Sequence, residues 1–297
     1  MKFDYKSLTG CITALITPFK NGEIDYDAYG NLIDFQINAG VSGIVVLGTT
    51  GESATVEEGE RRQLISFAKE KIGERVPMLV GTGSNSTKRT VAFTEDAEKY
   101  GADGILAVTP YYNKATVSGL IEHYRVVASS TSLPVILYNV PARTGVNMTS
   151  ATLKGLEDVS NIVGVKEASG SVENTLSVLS ELKDRFQIYS GCDELTIPLM
   201  SVGAKGVISA CANVIPKKMA DMCRDFNAGR VKESGKIQNE IYPFIKEMFA
   251  EVNPIPVKTA LYLMGKCENE FRLPMCASTR TEQIRNMLKT YGIKTER

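Results

Sequence analysis

The 297-residue chain carries a single histidine, His123, and that shortage excludes more chemistry than any other. A His-rich zinc site needs several imidazoles, and a Ser-His-Asp triad would have to be built on this one. His123 stands in LIEHYRVV, a helix-like stretch, where an ordinary helix-surface or interhelix residue is expected. Net charge is also missing, because 34 Lys and Arg balance 34 Asp and Glu. With no surplus of basic charge there is no counterion-releasing surface, so neither nucleic acid nor acidic membrane is an expected partner. The six cysteines, Cys11, Cys192, Cys211, Cys223, Cys267 and Cys276, contain no C-x-x-C pair, and several sit in apolar runs. They read as reduced, buried, small hydrophobes in a reducing compartment, with no metal. Long apolar runs are absent too. The longest stretches free of Asp, Glu, Lys and Arg, 35–51 and 126–142, are broken by Gly, Pro, Ser, Thr and Asn, and neither could span a bilayer. The opening MKFDYKSLTG has charges where a secretory peptide needs its apolar core, so a cytoplasmic location is expected.

What is present is apolar material in a regular order. At about 150 residues per domain, the length suits two domains or one large α/β barrel with an appendage. Eight short runs recur: CITALITPF, GIVVLGTT, PMLVGTG, GILAVTPYY, PVILYNVP, NIVGVKEAS, FQIYSGCD and GVISACAN. They are nearly continuous in Val, Ile and Leu, as expected of parallel strands covered on both faces. Between them lie amphipathic segments, one opened by a capping box at Thr55-Val-Glu-Glu58 and ending near Gly73. Gly40, Gly101 and Gly203 each precede a second glycine, at 43, 104 and 206, where a helix should end and a strand begin. Their separations, 61 and 102 residues, match two and four βα units of about 30 residues. The expected fold class is therefore α/β, a (β/α)8 TIM barrel. A doubly wound sheet would show a Gly-rich loop after its first strand, but ITPFKNGE stands there. After residue 213 only helices are expected, around 217–228, 231–249 and 257–264, with a last one opened by a capping box at Thr279-Arg-Thr-Glu282. This divides the chain into a catalytic barrel, 1–228, and a small C-terminal helical domain, 229–297.

Active sites of such barrels lie at the C-terminal ends of the strands, which singles out Lys166 in NIVGVKEAS. An arbitrary strand-end lysine snorkels out to a carboxylate. A lysine held among Val and Ile loses hydration, which favours the neutral amine that attacks carbonyls. Strand period puts Gly164 and Lys166 on one face, leaving room beneath the lysine, and Val163, Val165 and Glu167 on the other. Without a metal or a usable histidine, lysine is the available electrophile activator and tyrosine the proton carrier. Tyr138 ends the fifth strand, and Tyr111 and Tyr112 end the fourth. Gly48-Thr49-Thr50-Gly51-Glu52 offers two hydroxyls and close backbone approach for a small carboxylate, and Arg143 in PARTG a bidentate clamp.

GTTGES, PYYNK, YNVPARTG and GVKEASG, in this order and spacing, resemble the dihydrodipicolinate synthase family of pyruvate-dependent class I aldolases. The likeness runs from TALITPF to the helical tail. It implies that Lys166 forms an imine with pyruvate and needs no cofactor, that Tyr138 shuttles protons, and that Thr50 links Tyr138 to Tyr112 in a relay. Thr49 and Thr50 would take the pyruvate carboxylate, and Arg143 that of aspartate semialdehyde, with Gly191 and Ile208 shaping the pocket. The product would be 4-hydroxy-tetrahydrodipicolinate, in the first committed step of diaminopimelate and lysine biosynthesis. A homotetramer of two tight dimers, with Tyr112 entering the neighbour's site, is also implied.

Two other functions compete. Sister aldolases such as N-acetylneuraminate lyase or a keto-sugar-acid aldolase share Lys166 and Tyr138. They resemble G-S-T-G-E at the GTTGE position and tend to lack Arg143. A barrel that has lost catalysis and serves as a binding protein is disfavoured by the full set of chemical residues. Lysine-inhibited members resemble one another in histidines after GTTGES and in an N-x-x-x-E run. Here Glu58 and Arg61 stand where the histidines align, and Arg89 where the glutamate does. Insensitivity to lysine is therefore expected, since the effector's ammonium groups need acceptors.

Overall fold

A computed structural model describes residues 5–297. All eight aliphatic runs form parallel strands: β1 (Gly10–Ala14), β4 (Gly43–Val46), β5 (Met78–Gly81), β6 (Gly104–Val108), β7 (Val135–Asn139), β8 (Ile162–Glu167), β9 (Gln187–Ser190) and β10 (Gly206–Ser209). Each pairs with the next in sequence, and β10 pairs with β1, closing the barrel. This is a TIM barrel. A hairpin of β2 (Phe19–Lys20) and β3 (Glu23–Ile24), not foreseen, follows the first strand.

Every strand has two apolar faces because the barrel makes two cores. The inner one gathers Ile12, Val45, Leu79, Leu106, Ile136 and Ile208 inside the barrel. The outer one joins the opposite strand faces, including Ile44, Val80, Ile105, Leu137 and Val165, to the surrounding helices. Each such side chain removed from water contributes roughly 1.5–3 kcal/mol, so charge in the barrel strands is confined to the end of β8, at Lys166 and Glu167.

The helices are α1 (Tyr26–Asn38), α2 (Glu58–Ile72), α3 (Thr87–Lys99), α4 (Val117–Ser129), the short α5 (Pro141–Thr144) and α6 (Ser150–Lys154), α7 (Val172–Leu182), α8 (Thr196–Ser201) and α9 (Pro216–Asn227). Beyond the barrel come α10 (Val231–Met248), α11 (Ile255–Leu263) and α12 (Thr281–Thr290). Gly40, Gly101 and Gly203 hold φ of 87°, 95° and 118° where helices hand over to strands.

Three local expectations are corrected. The box opening α2 lies two residues later, where the Glu60 carboxylate accepts the Glu57 N–H at 2.9 Å. Thr55 cannot cap because its hydroxyl donates to the Glu52 carbonyl. At α12 the Thr279 hydroxyl donates to Glu251 instead of capping, and the helix starts at Thr281. In β8 the register against β7 slips, with Val135 opposite Ile162 but Ile136 opposite Gly164. The extra residue is Val163, a bulge that turns it into the inner core while Val165 packs outside. A Cβ on Gly164 would lie 2.5 Å from the Gln187 carbonyl oxygen of β9, so that glycine permits close strand approach and leaves no space under Lys166. The thiols are unpaired as expected. Cys11, Cys211, Cys223 and Cys267 are buried, but Cys192 is only half-buried and Cys276 is exposed.

Candidate active site

Register alone places Lys166 between two tyrosines, since it stands opposite Tyr138 of β7 and Tyr189 of β9. The lysine is 6% exposed, and its ammonium lies 4.3 Å from the centroid of the Tyr138 ring. A cation over an aromatic face gains roughly 0.5–2 kcal/mol, and this holds the amine at the strand end. Among the described residues no carboxylate forms an ion pair with it, so the snorkelling alternative fails. Glu167, the next residue, points elsewhere and accepts from the side-chain amides of Asn139 and Asn174 and from the Ser169 N–H. Just past the end of β9 is Gly191, whose N–H donates to the Glu167 carbonyl at 2.7 Å. A Cβ there would come within 3.1 Å of the Lys166 Cε and 2.7 Å of the Ala168 Cβ, so any larger residue would press on the lysine side chain. Ile208 of β10 lies in the inner core with Tyr138.

The Thr49-Thr50 turn follows β4 and is held from several directions. Leu47 and Glu52, which bracket it, take φ of 58° and 50°, left-handed values that cost non-glycine residues energy. Thr17 donates to the Gly51 carbonyl at 2.7 Å. From the far end of the chain, Asn253 Nδ2 donates to Thr50 Oγ1 at 3.0 Å, and Lys258 Nζ lies 2.7 Å from Glu52 Oε1. This last pair is almost wholly buried. Burial pushes the Glu52 carboxyl up and the Lys258 ammonium down, and each is held back by the other's charge. Arg143, exposed on α5, donates to the Asn253 carbonyl at 2.9 Å and forms no ion pair among the described residues. Its charge is free for a carboxylate.

A cavity of about 320 Å³ opens beside this turn. Thr49, Arg143, Asn253 and Tyr111 line it, whereas Lys166 and Tyr138 do not. The single chain does not assemble the expected relay. Tyr112 lies past the end of β6, 88% exposed with φ 74°, and among the described residues no hydrogen bond joins Thr50 to either tyrosine. Asn253 and Lys258 were missed by sequence reasoning. Their only local signal is the Asn-Pro step in VNPIPVK, which reads as a helix start.

His123 takes no part. It is a buried interhelix residue with Thr87 Oγ1 at 2.9 Å from Nδ1, and burial pulls its pKa down to about 4. Among the described residues no group of three or more His, Cys, Asp or Glu could hold a metal ion, and no helix is long and apolar enough to cross a membrane.

The sequence profile of the Dihydrodipicolinate synthetase family matches residues 7–291. A protein of Thermotoga neapolitana named 4-hydroxy-tetrahydrodipicolinate synthase is 45% identical over 290 residues, covering 96% of this chain and 99% of that one. The crystal structure of dihydrodipicolinate synthase from Thermotoga maritima superimposes with a TM-score of 0.94 at 44% identity, covering 96% of this chain and 99% of the other. A monomeric dihydrodipicolinate synthase variant superimposes equally well, with a TM-score of 0.94 at 44% identity, covering 97% and 98%. With its barrel closed, its buried lysine unpaired and its likeness spanning nearly every residue, the chain belongs to the dihydrodipicolinate synthetase family.

Proposed function

We propose that this enzyme is a lyase that condenses pyruvate with aspartate semialdehyde to give 4-hydroxy-tetrahydrodipicolinate, a step toward diaminopimelate and lysine. The supporting observation is Lys166, a buried amine without a carboxylate partner, with Tyr138 beside it and Gly191 leaving space at its Cε. The Lys166 amine attacks the keto carbon of pyruvate, and loss of water gives an iminium. That cation draws a proton off the methyl carbon, leaving an enamine. Tyr138 carries the proton, its ring centroid lying 4.3 Å from the amine. The enamine carbon bonds to the aldehyde carbon of the second substrate, whose oxygen takes up a proton. The substrate's own amine then displaces Lys166 from the imine carbon, closing the ring and freeing the enzyme. One water leaves per turnover, and no redox equivalent is needed.

Thr49 and Thr50 present hydroxyls to the pyruvate carboxylate, and Arg143 pairs with that of the semialdehyde. Residues 229–297 act as a helical domain whose Asn253 and Lys258 brace the Thr49-Thr50 turn. The exposed, left-handed Tyr112 suits insertion into the site of a second copy, with the full assembly a dimer of dimers in the cytoplasm. Insensitivity to lysine is supported by Arg61 and Arg89, which put cations where ammonium groups would need acceptors. Borohydride added with pyruvate tests the assignment. A pyruvyl adduct mapping to Lys166, with turnover of pyruvate plus aspartate semialdehyde and none of sialic acid, is expected. An adduct at another lysine, or sialic acid cleavage, would overturn it.

A further inference from the structure

One rung past the Tyr138–Lys166 pair, β7 and β8 set two buried polar side chains opposite each other, Asn139 and Glu167. Every polar atom of the Asn139 side chain is engaged. Its Oδ1 accepts the Met148 N–H at 2.9 Å, which fixes the orientation of the amide. Its Nδ2 donates to Asn147 Oδ1 at 2.8 Å and to Glu167 Oε2 at 3.0 Å. Glu167 Oε2 also accepts from Asn174 Nδ2 at 2.7 Å, and Oε1 from the Ser169 N–H at 2.6 Å. A carboxylate only accepts, so these three donors match it, and a glutamine in its place must turn its NH2 against at least one of them. Glu167 forms no ion pair among the described residues. The condensation itself uses none of these groups.

The chain leaves the barrel at Asn139 and returns to the same side chain at Asn147 and Met148. The segment between them carries α5 and Arg143. A helix of a single turn does not hold itself, since nucleation costs more than its one bond returns, so the place of Arg143 is set by what ties the ends of the segment. Buried Thr144 closes it from within, donating to the Val146 carbonyl at 2.9 Å. Asn139 joins it to Glu167, the residue after Lys166. We propose that Asn139 and Glu167 are positioning residues that fix the distance between Arg143 and Lys166. The inference rests on the reading of Arg143 as the clamp for the carboxylate of aspartate semialdehyde. With that carboxylate on Arg143 and the enamine on Lys166, the two carbons meet only if the segments keep their spacing, and an error of about 1 Å costs roughly 10²-fold in rate. Asn174 and Ser169 hold Glu167 from the other side, so the loop is referenced to the barrel wall.

The test separates the two substrates. Asn147 is exposed, so Asn147→Ala removes one tie and leaves the fold intact. It should lower kcat/KM for aspartate semialdehyde by roughly threefold to tenfold, the loss of one neutral hydrogen bond. Asn139→Ala should lower it by roughly tenfold to hundredfold. Borohydride trapping of pyruvate at Lys166 should stay within about threefold of the parent rate in both, by the same reasoning. Because these residues act through Arg143, Asn147→Ala should have no further effect in an Arg143→Ala background. Exchanging the partners supplies a rescue. Asn139→Asp and Glu167→Gln each break the match of donors to acceptors, whereas the double variant restores it with polarity reversed once the Asn147 and Asn174 amides turn over, and should recover most of the activity. An unchanged kcat/KM for the semialdehyde in both alanine variants, equal losses for the two substrates, additivity with Arg143→Ala, or no rescue would each overturn the proposal. Trapping in the parent enzyme reports on Lys166 by itself, so failure of that assignment and failure of this one are distinguishable.

Discussion

Lys166 and Lys258 are two buried lysines at the same end of the barrel, and they have opposite partners. Each ammonium lies over an aromatic ring, Lys166 4.3 Å from the Tyr138 centroid and Lys258 4.2 Å from that of Phe19. Lys258 has a carboxylate at 2.7 Å, and Lys166 has none among the described residues. Burial alone therefore does not mark a lysine as reactive. A buried cation with a matched anion becomes a strut whose removal strands the partner charge. A buried lysine with a π face beside it and no carboxylate has no such partner charge to strand. The strut also holds the neighbouring turn, because Glu52 follows directly on Thr49, Thr50 and Gly51.

The largest expected effect comes from removing the unpaired amine. Lys166→Arg should abolish the borohydride-trapped pyruvate adduct and turnover, since a guanidinium stays protonated and is no nucleophile. Mass spectrometry of the trapped protein checks this, and Lys258→Met must still trap at Lys166 if the comparison holds. Tyr138→Phe should follow, lowering kcat by roughly 10²–10⁴-fold while imine formation stays slow but detectable. Unchanged turnover would reduce Tyr138 to a cushion for the ammonium. Breaking the strut by Lys258→Met should cost about 3–5 kcal/mol in urea denaturation, because Glu52 is left buried and unpaired. Adding Glu52→Gln should restore part of it, and a loss equal in single and double variants would show that the pair is not what matters.

His123 supplies a third buried nitrogen, one without any counter-charge, and its effect is smaller. Its imidazole is pulled from 6.5 to about 4 by burial, so the folded protein holds fewer protons than the unfolded chain in that window. The stability this contributes is complete above pH 6.5 and is lost as pH falls toward 4, by roughly 2–3 kcal/mol. Comparing His123→Leu with the parent across that range should show a flatter slope, and parallel curves would refute the assignment. The smallest expected effect is that of lysine on turnover. Millimolar lysine should leave the rate unchanged, and inhibition abolished by substitutions around Asn85 and Tyr111 would contradict this.

Much of the site was legible because its parts sit at strand ends. A lysine inside NIVGVKEAS is anomalous in any reading, and the period of βα units places it at the mouth. The half that was not legible consists of contacts across the chain. Asn253 reaches Thr50 over 203 residues, and Lys258 reaches Glu52 over 206. Neither carries a local pattern, since each lies in an ordinary helix entrance. The bulge at Val163 is similar, because alternation in VGVKE is blind to a partner strand that skips a residue.

The sequence by itself determined the number and order of the barrel strands, the barrel, and the identity of the anomalous lysine, because these rest on side-chain chemistry repeated at short range. Only the tertiary structure decided that Lys166 goes unpaired while Lys258 does not, that Gly191 rather than Gly164 makes room for the Lys166 side chain, and that Tyr112 faces outward. Whether a buried charge is neutralised depends on which distant segment packs against it. That choice is made when the barrel closes and the C-terminal helices dock, since only then does water leave and fix the partners.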